Sequence, residues 1–139
     1  MRTLILALGA WVAGVAAYFA VLLLAFDEPL RWSGDTKATL FWSAGAFGIA
    51  LPVLYLPVLH AIRRKLDGVE PAWPFSMVAI AIGVFPVALI AFLNGGDLRS
   101  LWSQEAFLFY TMFAAIGLVV GIGFTVIHGN DGMPDTDAR

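Results

Sequence analysis

The sequence predicts an all-α polytopic membrane protein, an antiparallel four-helix transmembrane bundle, from its composition and from four long apolar segments. Of its 139 residues, 60% are hydrophobic and 13% are charged, and the mean hydropathy is +0.86. A soluble domain carries about 25% charged residues, which form a polar shell. This chain cannot build such a shell, so we expect the lipid bilayer to cover much of its surface.

Four segments have the length and composition of transmembrane helices. A membrane helix needs about 20 apolar residues, because about 30 Å of hydrocarbon is crossed at about 1.5 Å per residue. Residues 4–26, 38–59, 75–93 and 106–127 meet this requirement, and none of them contains Asp, Glu, Lys, Arg or His. The chain is therefore predicted to be a single transmembrane domain with a short, flexible, acidic tail at 129–139.

Basic residues at the segment ends predict the orientation in the membrane. Arg63, Arg64 and Lys65 follow the second segment, and cytoplasmic connections carry the excess of Lys and Arg. Both termini are therefore expected in the cytoplasm. The brevity of the chain favours a bacterial inner membrane.

Two Arg and Trp pairs lie in the connections predicted at the outer surface. They are Arg31 with Trp32 and Arg99 with Trp102. Such side chains commonly anchor a protein at the membrane interface. Contact with an anion or a lipid phosphate is the alternative interpretation.

The chain matches itself when it is shifted by 68 residues. Residues 30–60 align without gaps on 98–128, with eight identities in 31 positions. If the match is a duplication, each unit is a helical hairpin, and the two tandem hairpins are related by an axis along the membrane normal. Phe41 and Phe109 are then expected at equal depth in similar environments. Chance similarity between apolar segments is the alternative.

Small residues at helical spacing predict where the helices touch. Inside lipid there is little hydrophobic force between helices, so close approach of backbones at Gly and Ala supports association. Packing within one chain is favoured over a dimer interface, because the four helices must first pack on one another. The candidate packing residues are Gly9, Ala13 and Gly14 in the first segment and Gly117 and Gly121 in the fourth.

Three prolines interrupt the apolar segments, Pro52 and Pro57 in the second and Pro86 in the third. Each proline lacks an N–H and so frees the carbonyl four residues earlier. Carbonyls at membrane depth need a partner, and bent helices therefore often line cavities. A kink satisfied by a neighbouring group is the simpler interpretation.

His60 and His128 are the two histidines of the chain, and they occupy equivalent positions in the 68-residue match. Paired imidazoles on neighbouring helices can hold a haem or a metal. A helix C-terminus also favours histidine on dipole grounds alone. Haem binding is therefore kept as an alternative, while no cofactor and no metal are expected.

Composition argues against several functions. The absence of cysteine removes disulfides and thiolate metal sites, and a net charge of -2 provides no basic surface for nucleic acid. The charge-free segments leave no ionisable group at membrane depth for acid–base catalysis or proton transfer. We therefore expect no enzyme.

The expected role is that of a non-catalytic accessory, scaffold or interaction subunit, packed against another membrane protein or a second copy of itself. The first alternative is a small channel or carrier for an apolar or weakly polar solute, in which the three prolines shape a cavity. The second alternative is a haem-binding redox subunit that uses His60 and His128.

Overall fold

The structure is all helical over the residues that it describes. It is a computed structural model, and it describes residues 1–27, 34–65 and 72–129. No strand occurs within these ranges. Four stretches in them are long and apolar enough to cross a membrane: Arg2–Phe26, Thr36–Lys65, Ala72–Gly95 and Gln104–Ile127. The prediction of an all-α protein with four candidate membrane-spanning helices is therefore confirmed.

Five α-helices and two short turns make up the described part of the chain. The helices are α1 (Arg2–Phe26), α2 (Gly34–Ala50), α3 (Leu56–Lys65), α4 (Ala72–Gly95) and α5 (Gln104–Gly129). A π-helical turn (Leu51–Tyr55) joins α2 to α3, and a 3₁₀ turn (Ser100–Trp102) precedes α5. The predicted tail, beyond Gly129, lies outside the described residues, as do Arg31 and Trp32.

The π-helical turn lies where two prolines interrupt the second membrane-spanning stretch. The backbone N–H of Leu56 donates to the carbonyl of Leu51, five residues earlier. An α-helix bonds four residues apart, but Pro52 and Pro57 lack two of the N–H groups that this pattern needs. The wider turn accommodates both prolines, and it buries the side chains of Leu51 and Tyr55.

Local hydrogen bonds hold the connection between α4 and α5. Gly96 has a φ of 69°, in the left-handed region that glycine adopts without strain, and it follows the last residue of α4. Asp97 Oδ1 accepts a hydrogen bond from the backbone N–H of Ser100 at 3.0 Å. Ser103 caps α5, because its Oγ accepts the backbone N–H of Ala106 at 3.2 Å.

Helix α5 is central, and it packs on α4 and on α1. A Cβ added at Gly117 would lie 2.5 Å from the backbone nitrogen of Ile80, and one added at Gly121 would overlap Ser76. The contacts therefore run in opposite residue order along α4 and α5. Glycine at positions 117 and 121 allows the two backbones to approach this closely.

Helix α1 packs on α5 through a third glycine. A Cβ added at Gly14 would overlap the side chain of Ile116 and would lie 2.9 Å from the carbonyl oxygen of Met112. Near the other end of α1, the rings of Phe26 and Phe107 meet edge to face with their centroids 6.3 Å apart. The contacts with α1 and α4 together bury much of α5.

The hydrophobic core lies around α5. Its buried side chains come mainly from α5, from the segment joining α2 to α3 and from the first half of α4. The largest fully buried side chains are Tyr55, Phe124, Leu59, Met112, Ile116 and Val120.

The two halves of the 68-residue match have different surroundings. Phe41 is 73% exposed, whereas Phe109 is half-buried and its ring lies 5.8 Å from that of Tyr18. The expectation of similar environments for the two phenylalanines is therefore wrong. The surroundings also differ at Gly117, which contacts the backbone of α4, since Ile49 stands at the equivalent position of α2 and is exposed.

Candidate binding cavity

A partly open cavity of about 720 Å³ lies between α2, α4 and α5. Its residues on α4 extend from Ile82 to Gly95, which corresponds to a length of about 20 Å at a rise of about 1.5 Å per residue. Binding sites for small molecules have volumes of about 300 to 1,000 Å³. The cavity is therefore large enough to hold an elongated small molecule.

Small side chains on α2 leave this space unfilled. Ser43, Ala46 and Ala50 follow one another along the wall that α2 contributes. The opposite walls are apolar and include Ile90 of α4 and Met112 of α5. With no large side chain at positions 46 and 50, α2 cannot fill the gap, and this packing produces an apolar cavity rather than a continuous core.

Ser43 holds α2 against α1 at the cavity wall. Its hydroxyl accepts a hydrogen bond from Nε1 of Trp11 at 3.2 Å and donates one to the carbonyl of Leu40 at 3.1 Å. The side chain of Ser43 is buried. Its donor is already used inside the protein, so Ser43 stabilises the wall rather than presenting a free donor to a ligand.

The mouth of the cavity is the polar end, formed where α4 meets α5. Asn94, Ser100, Ser103 and Glu105 line it. Glu105 is the charged residue among the described residues that line the cavity, and it lies in the first turn of α5. An acidic side chain interacts favourably with a helix N-terminus. The mouth is therefore the polar and acidic end of the cavity.

The floor of the cavity, at its other end, lies beside Gly83 and Phe113. A Cβ added at Gly83 would lie 2.6 Å from the hydroxyl oxygen of Tyr55 and 3.0 Å from Cβ of Phe113. Glycine at position 83 thus allows the Tyr55 hydroxyl to approach the backbone of α4 at the floor. The ring of Tyr55 is held from another side by Phe47, with centroids 5.9 Å apart in an edge-to-face contact.

The hydroxyl of Tyr55 makes no hydrogen bond with any residue that the structure describes. Tyr55 is 1% exposed. A buried hydroxyl without a partner costs about 1 to 3 kcal/mol, and native proteins leave few such groups unpaired. Tyr55 does not line the cavity, so this hydroxyl is enclosed behind the floor, against Gly83.

Pro86 adds a second polar feature near the floor. It lies inside α4, which continues on both sides of it, and it has no N–H to donate to the carbonyl of Ile82. Ile82 and Pro86 both line the cavity. The wall near the floor therefore includes a residue, Ile82, whose carbonyl lacks its usual helical donor.

The structure places the other predicted prolines and packing residues apart from the cavity. Pro52 and Pro57 are exposed and do not line it. Gly14, Gly117 and Gly121 lie at the helix contacts described above, and Ala13 is half-buried. Gly9 has no described atom within 4 Å of the position where its Cβ would be.

The candidate haem ligands lie away from the cavity. Nδ1 of His60 lies 2.7 Å from the carbonyl oxygen of Leu56, and its ring packs edge to face on Phe124 with centroids 5.0 Å apart. The side chain of His128 is outside the described part of the structure. Within that part, no three His, Cys, Asp or Glu side chains are grouped so that they could hold a metal.

The predicted interface anchors lie at opposite ends of the helices. Arg63, Arg64 and Lys65 form the last turn of α3, where cations interact favourably with the helix dipole. Arg99 and Trp102 are exposed in the connection that forms the mouth. The first Arg and Trp pair, at 31 and 32, is outside the described residues.

Comparison of this chain with protein-family models, with curated proteins and with solved structures finds no match.

A hydroxyl inside an apolar segment commonly satisfies a neighbouring carbonyl. Ser43 and Thr111 do this, because their hydroxyls donate to the carbonyls of Leu40 and Phe107, but Tyr55 does not. The sequence contains one indication of this unpaired hydroxyl: Tyr55 lies between two prolines near the middle of an apolar segment. The hydroxyl lies against Gly83, a residue that is distant in the sequence.

Proposed function

We propose that this protein is a non-catalytic integral membrane protein that binds an apolar or weakly polar molecule in the cavity between α2, α4 and α5. The observation that carries the proposal is an apolar cavity of about 720 Å³ with polar residues at one end. An apolar cavity with a few polar groups is the usual form of a small-molecule site. Holding or carrying a membrane-soluble molecule accounts for an unfilled space of this kind.

The proposed arrangement is an antiparallel four-helix transmembrane bundle with both termini in the cytoplasm of a bacterium. The opposite residue order of the α4 and α5 contacts supports this arrangement. The basic last turn of α3 supports its orientation. In this orientation the mouth, with Glu105 and Ser103, opens toward the outer surface of the inner membrane.

Filling the cavity tests the proposed binding function. Ala46→Phe places a ring at a cavity wall, and Ala44→Phe places one on the exposed side of α2, at a residue that does not line the cavity. Each protein is extracted in mild detergent and studied by native mass spectrometry. We expect a bound small molecule in the wild type and in Ala44→Phe, and much less of it in Ala46→Phe. Equal occupancy in all three, or none in the wild type, would contradict the proposal.

An accessory subunit is the second candidate function, and the exposure of α2 favours it. Phe41 and Trp42 are 73% and 71% exposed, and their rings contact each other edge to face with centroids 5.7 Å apart. Aromatic side chains are enriched at protein interfaces. This aromatic pair is a surface on which another membrane protein or a second copy can pack.

Copurification tests the accessory role separately from binding in the cavity. We expect one partner in stoichiometric amount with the wild type, and its loss in Phe41→Ala, which removes the ring of the pair that does not line the cavity. Val12→Ala, on an exposed face of α1, is the control that should keep the partner. Recovery of the wild-type protein as a monomer without a partner would exclude this role.

Thiol labelling tests the orientation, because the chain contains no cysteine. Single substitutions Ser33→Cys and Ser100→Cys are expected to react with an impermeant reagent in intact cells. Gly68→Cys and Asp135→Cys are expected to react only after lysis. The reverse pattern would invert the proposed topology.

A further inference from the structure

The cavity extends from one end of the membrane-spanning stretches toward their middle. At the mouth, Asn94 and Glu105 lie next to the ends of α4 and α5 that the connection joins. At the floor, Gly83 and Phe113 lie toward the middle of the same two helices. The hydrocarbon core of a bilayer is about 30 Å thick, so the cavity has about the depth of one lipid leaflet.

The cavity is also open at its side. Trp42, Leu54 and Ile90 line it, and all three are nevertheless exposed. Exposed lining residues indicate that the cavity wall is continuous with the outer surface of the helices, which lipid covers in the proposed arrangement. A hydrocarbon chain therefore reaches the cavity from the bilayer without crossing water.

We propose that the cavity binds the hydrocarbon chain of a single-chain amphiphile and holds its primary ammonium head group at the mouth, beside Glu105. This inference rests on the proposed binding function and names its ligand class. The chain lies against the apolar walls, and the head group stays at the membrane–water interface. Binding therefore does not require burial of the charge, which would be costly.

Two residues at the mouth determine the chemistry of the head group. Glu105 is exposed in the first turn of α5, and an ionised carboxyl group accepts hydrogen bonds but donates none. Asn94 adds an amide oxygen from α4. A primary ammonium carries a positive charge and three N–H donors. Its hydrogen bonds to a carboxylate are charge-assisted, and they are stronger than those between neutral groups.

The two serines at the mouth stabilise the connection between α4 and α5. Oγ of Ser100 donates to the carbonyl of Asp97 at 2.6 Å, and Oγ of Ser103 accepts the backbone N–H of Ala106 at 3.2 Å. Both hydroxyls thus have partners inside the protein. The contacts with the head group are therefore assigned to Asn94 and Glu105.

The acidic mouth discriminates against acidic head groups. A carboxylate or a phosphate placed there would be repelled by the ionised side chain of Glu105. None of the described residues that line the cavity is Lys, Arg or His. Arg99 lies in the same connection, but it is exposed and does not line the cavity. Fatty acids and anionic lipids are therefore disfavoured relative to an amine of the same chain length.

Three probes of the same chain length test the head group: tetradecylammonium, tetradecanol and tetradecanoate. Their affinities for the wild type are measured by native mass spectrometry in mild detergent. We expect tetradecylammonium to bind most tightly, because it alone supplies a positive charge to the mouth. If the alcohol or the carboxylate binds as tightly as the ammonium, the inference is overturned.

Two charge-removing variants locate the contact. Glu105→Gln removes the acidic group of the mouth, and Asp27→Asn removes one from the same end of the bundle. Asp27 directly follows Phe26, whose ring contacts that of Phe107 in α5, and it does not line the cavity. Its φ is 52°, and asparagine is one of the residues that adopt this left-handed conformation. Asp27→Asn is therefore a matched control for the general charge of the surface.

We expect Glu105→Gln to weaken tetradecylammonium binding about fivefold, the upper value for an exposed ion pair. The affinity for tetradecanol should not change, and Asp27→Asn should alter neither affinity. An equal loss of tetradecylammonium binding in both variants would show that the amine responds only to surface charge, and it would overturn the contact with Glu105.

Photolabelling tests the direction of the bound chain. A tetradecylammonium with a diazirine at its terminal carbon is irradiated in the complex, and the labelled peptides are identified by mass spectrometry. We expect label at the floor, on Ile82 or Phe113, and its loss in Ala46→Phe. Label confined to residues 94–105 would mean that the chain is bound in the opposite direction.

The failure of this inference can be distinguished from the failure of the proposed function. If the three probes bind the wild type with equal affinity and all are lost in Ala46→Phe, the cavity is a binding site but the assigned head group is wrong. If no probe binds the wild type, the proposed binding function itself is wrong.

Discussion

Gly117 of α5 lies so close to Ile80 of α4 that a Cβ added to the glycine would come within 2.5 Å of the Ile80 backbone nitrogen. This is backbone against backbone, so the neighbour cannot yield by rotating a side chain. Close approach of this kind increases van der Waals contact between helices in lipid, where the hydrophobic effect does not drive association. The relationship between these two residues therefore fixes how α4 and α5 pack.

Gly117→Ala is expected to destabilise the protein by about 1 to 3 kcal/mol, because the methyl group overpacks the helix contact. The control is Gly45→Ala on α2, where no described atom lies within 4 Å of the added Cβ. That change should be neutral or should stabilise by up to about 1 kcal/mol, since alanine favours helix more than glycine does. Unfolding in detergent, followed by circular dichroism, measures both effects. Equal stability of the two variants would contradict the close contact.

Gly9 and Gly14 of α1 provide a second comparison, within one helix. A Cβ at Gly14 would overlap Ile116, whose side chain is fully buried and cannot turn aside, whereas Gly9 faces open space among the described residues. We expect Gly14→Ala to lower the unfolding free energy by about 1 to 3 kcal/mol and Gly9→Ala to leave it unchanged or slightly raised. Loss of stability in Gly9→Ala alone would show that α1 packs through a different face.

The four membrane-spanning stretches were predictable because length and hydropathy are local properties of the sequence. The small residues that form helix contacts could not be predicted, because the spacing of residues along one helix does not specify which other helix its face contacts. Gly9 and Gly14 looked alike in the sequence, yet one faces open space and the other Ile116. The same limit applies to the 68-residue match, since Phe41 and Phe109 sit in similar sequences but have different neighbours.

The cavity was predictable only in part. Pro86 was recognised as a residue that can shape a cavity, and it lines this one. The walls come from residues 42–54, 82–95 and 105–113, which no local pattern connects. The Tyr55 hydroxyl lies against Gly83 without a described partner, and such a lack of a partner becomes visible only when the helices are assembled.

The hydrogen bond from Trp11 to Ser43 is expected to contribute about 0.6 kcal/mol to the packing of α1 on α2, the average for such bonds between membrane helices. The donor and acceptor lie 3.2 Å apart, and Ser43 is buried. A double-mutant cycle with Ser43→Ala and Trp11→Phe isolates this interaction, because each change removes one partner. The unfolding free energies of the four proteins are compared in detergent. Additive effects would show that the bond does not stabilise the protein.

Tyr55→Phe is expected to raise the unfolding free energy of the ligand-free protein by about 1 kcal/mol. Most buried changes destabilise, but here the removed hydroxyl has no described partner, so its loss relieves a desolvation cost without breaking a bond. Tyr110→Phe serves as the control and should change stability little, because Tyr110 is only half-buried. A clear loss of stability in Tyr55→Phe would mean that the hydroxyl is paired in the ligand-free protein.

The Gly83→Ala variant tests whether the Tyr55 hydroxyl lies against the backbone of α4. In the wild type the new Cβ would lie 2.6 Å from the Tyr55 oxygen, and overpacking of this kind costs about 1 to 3 kcal/mol. In the Tyr55→Phe background the oxygen is gone, so the same change should cost less, although Cβ of Phe113 remains 3.0 Å away. Unfolding free energies of the four proteins in the cycle measure the difference. An equal cost of Gly83→Ala in both backgrounds would show that the hydroxyl does not lie against residue 83.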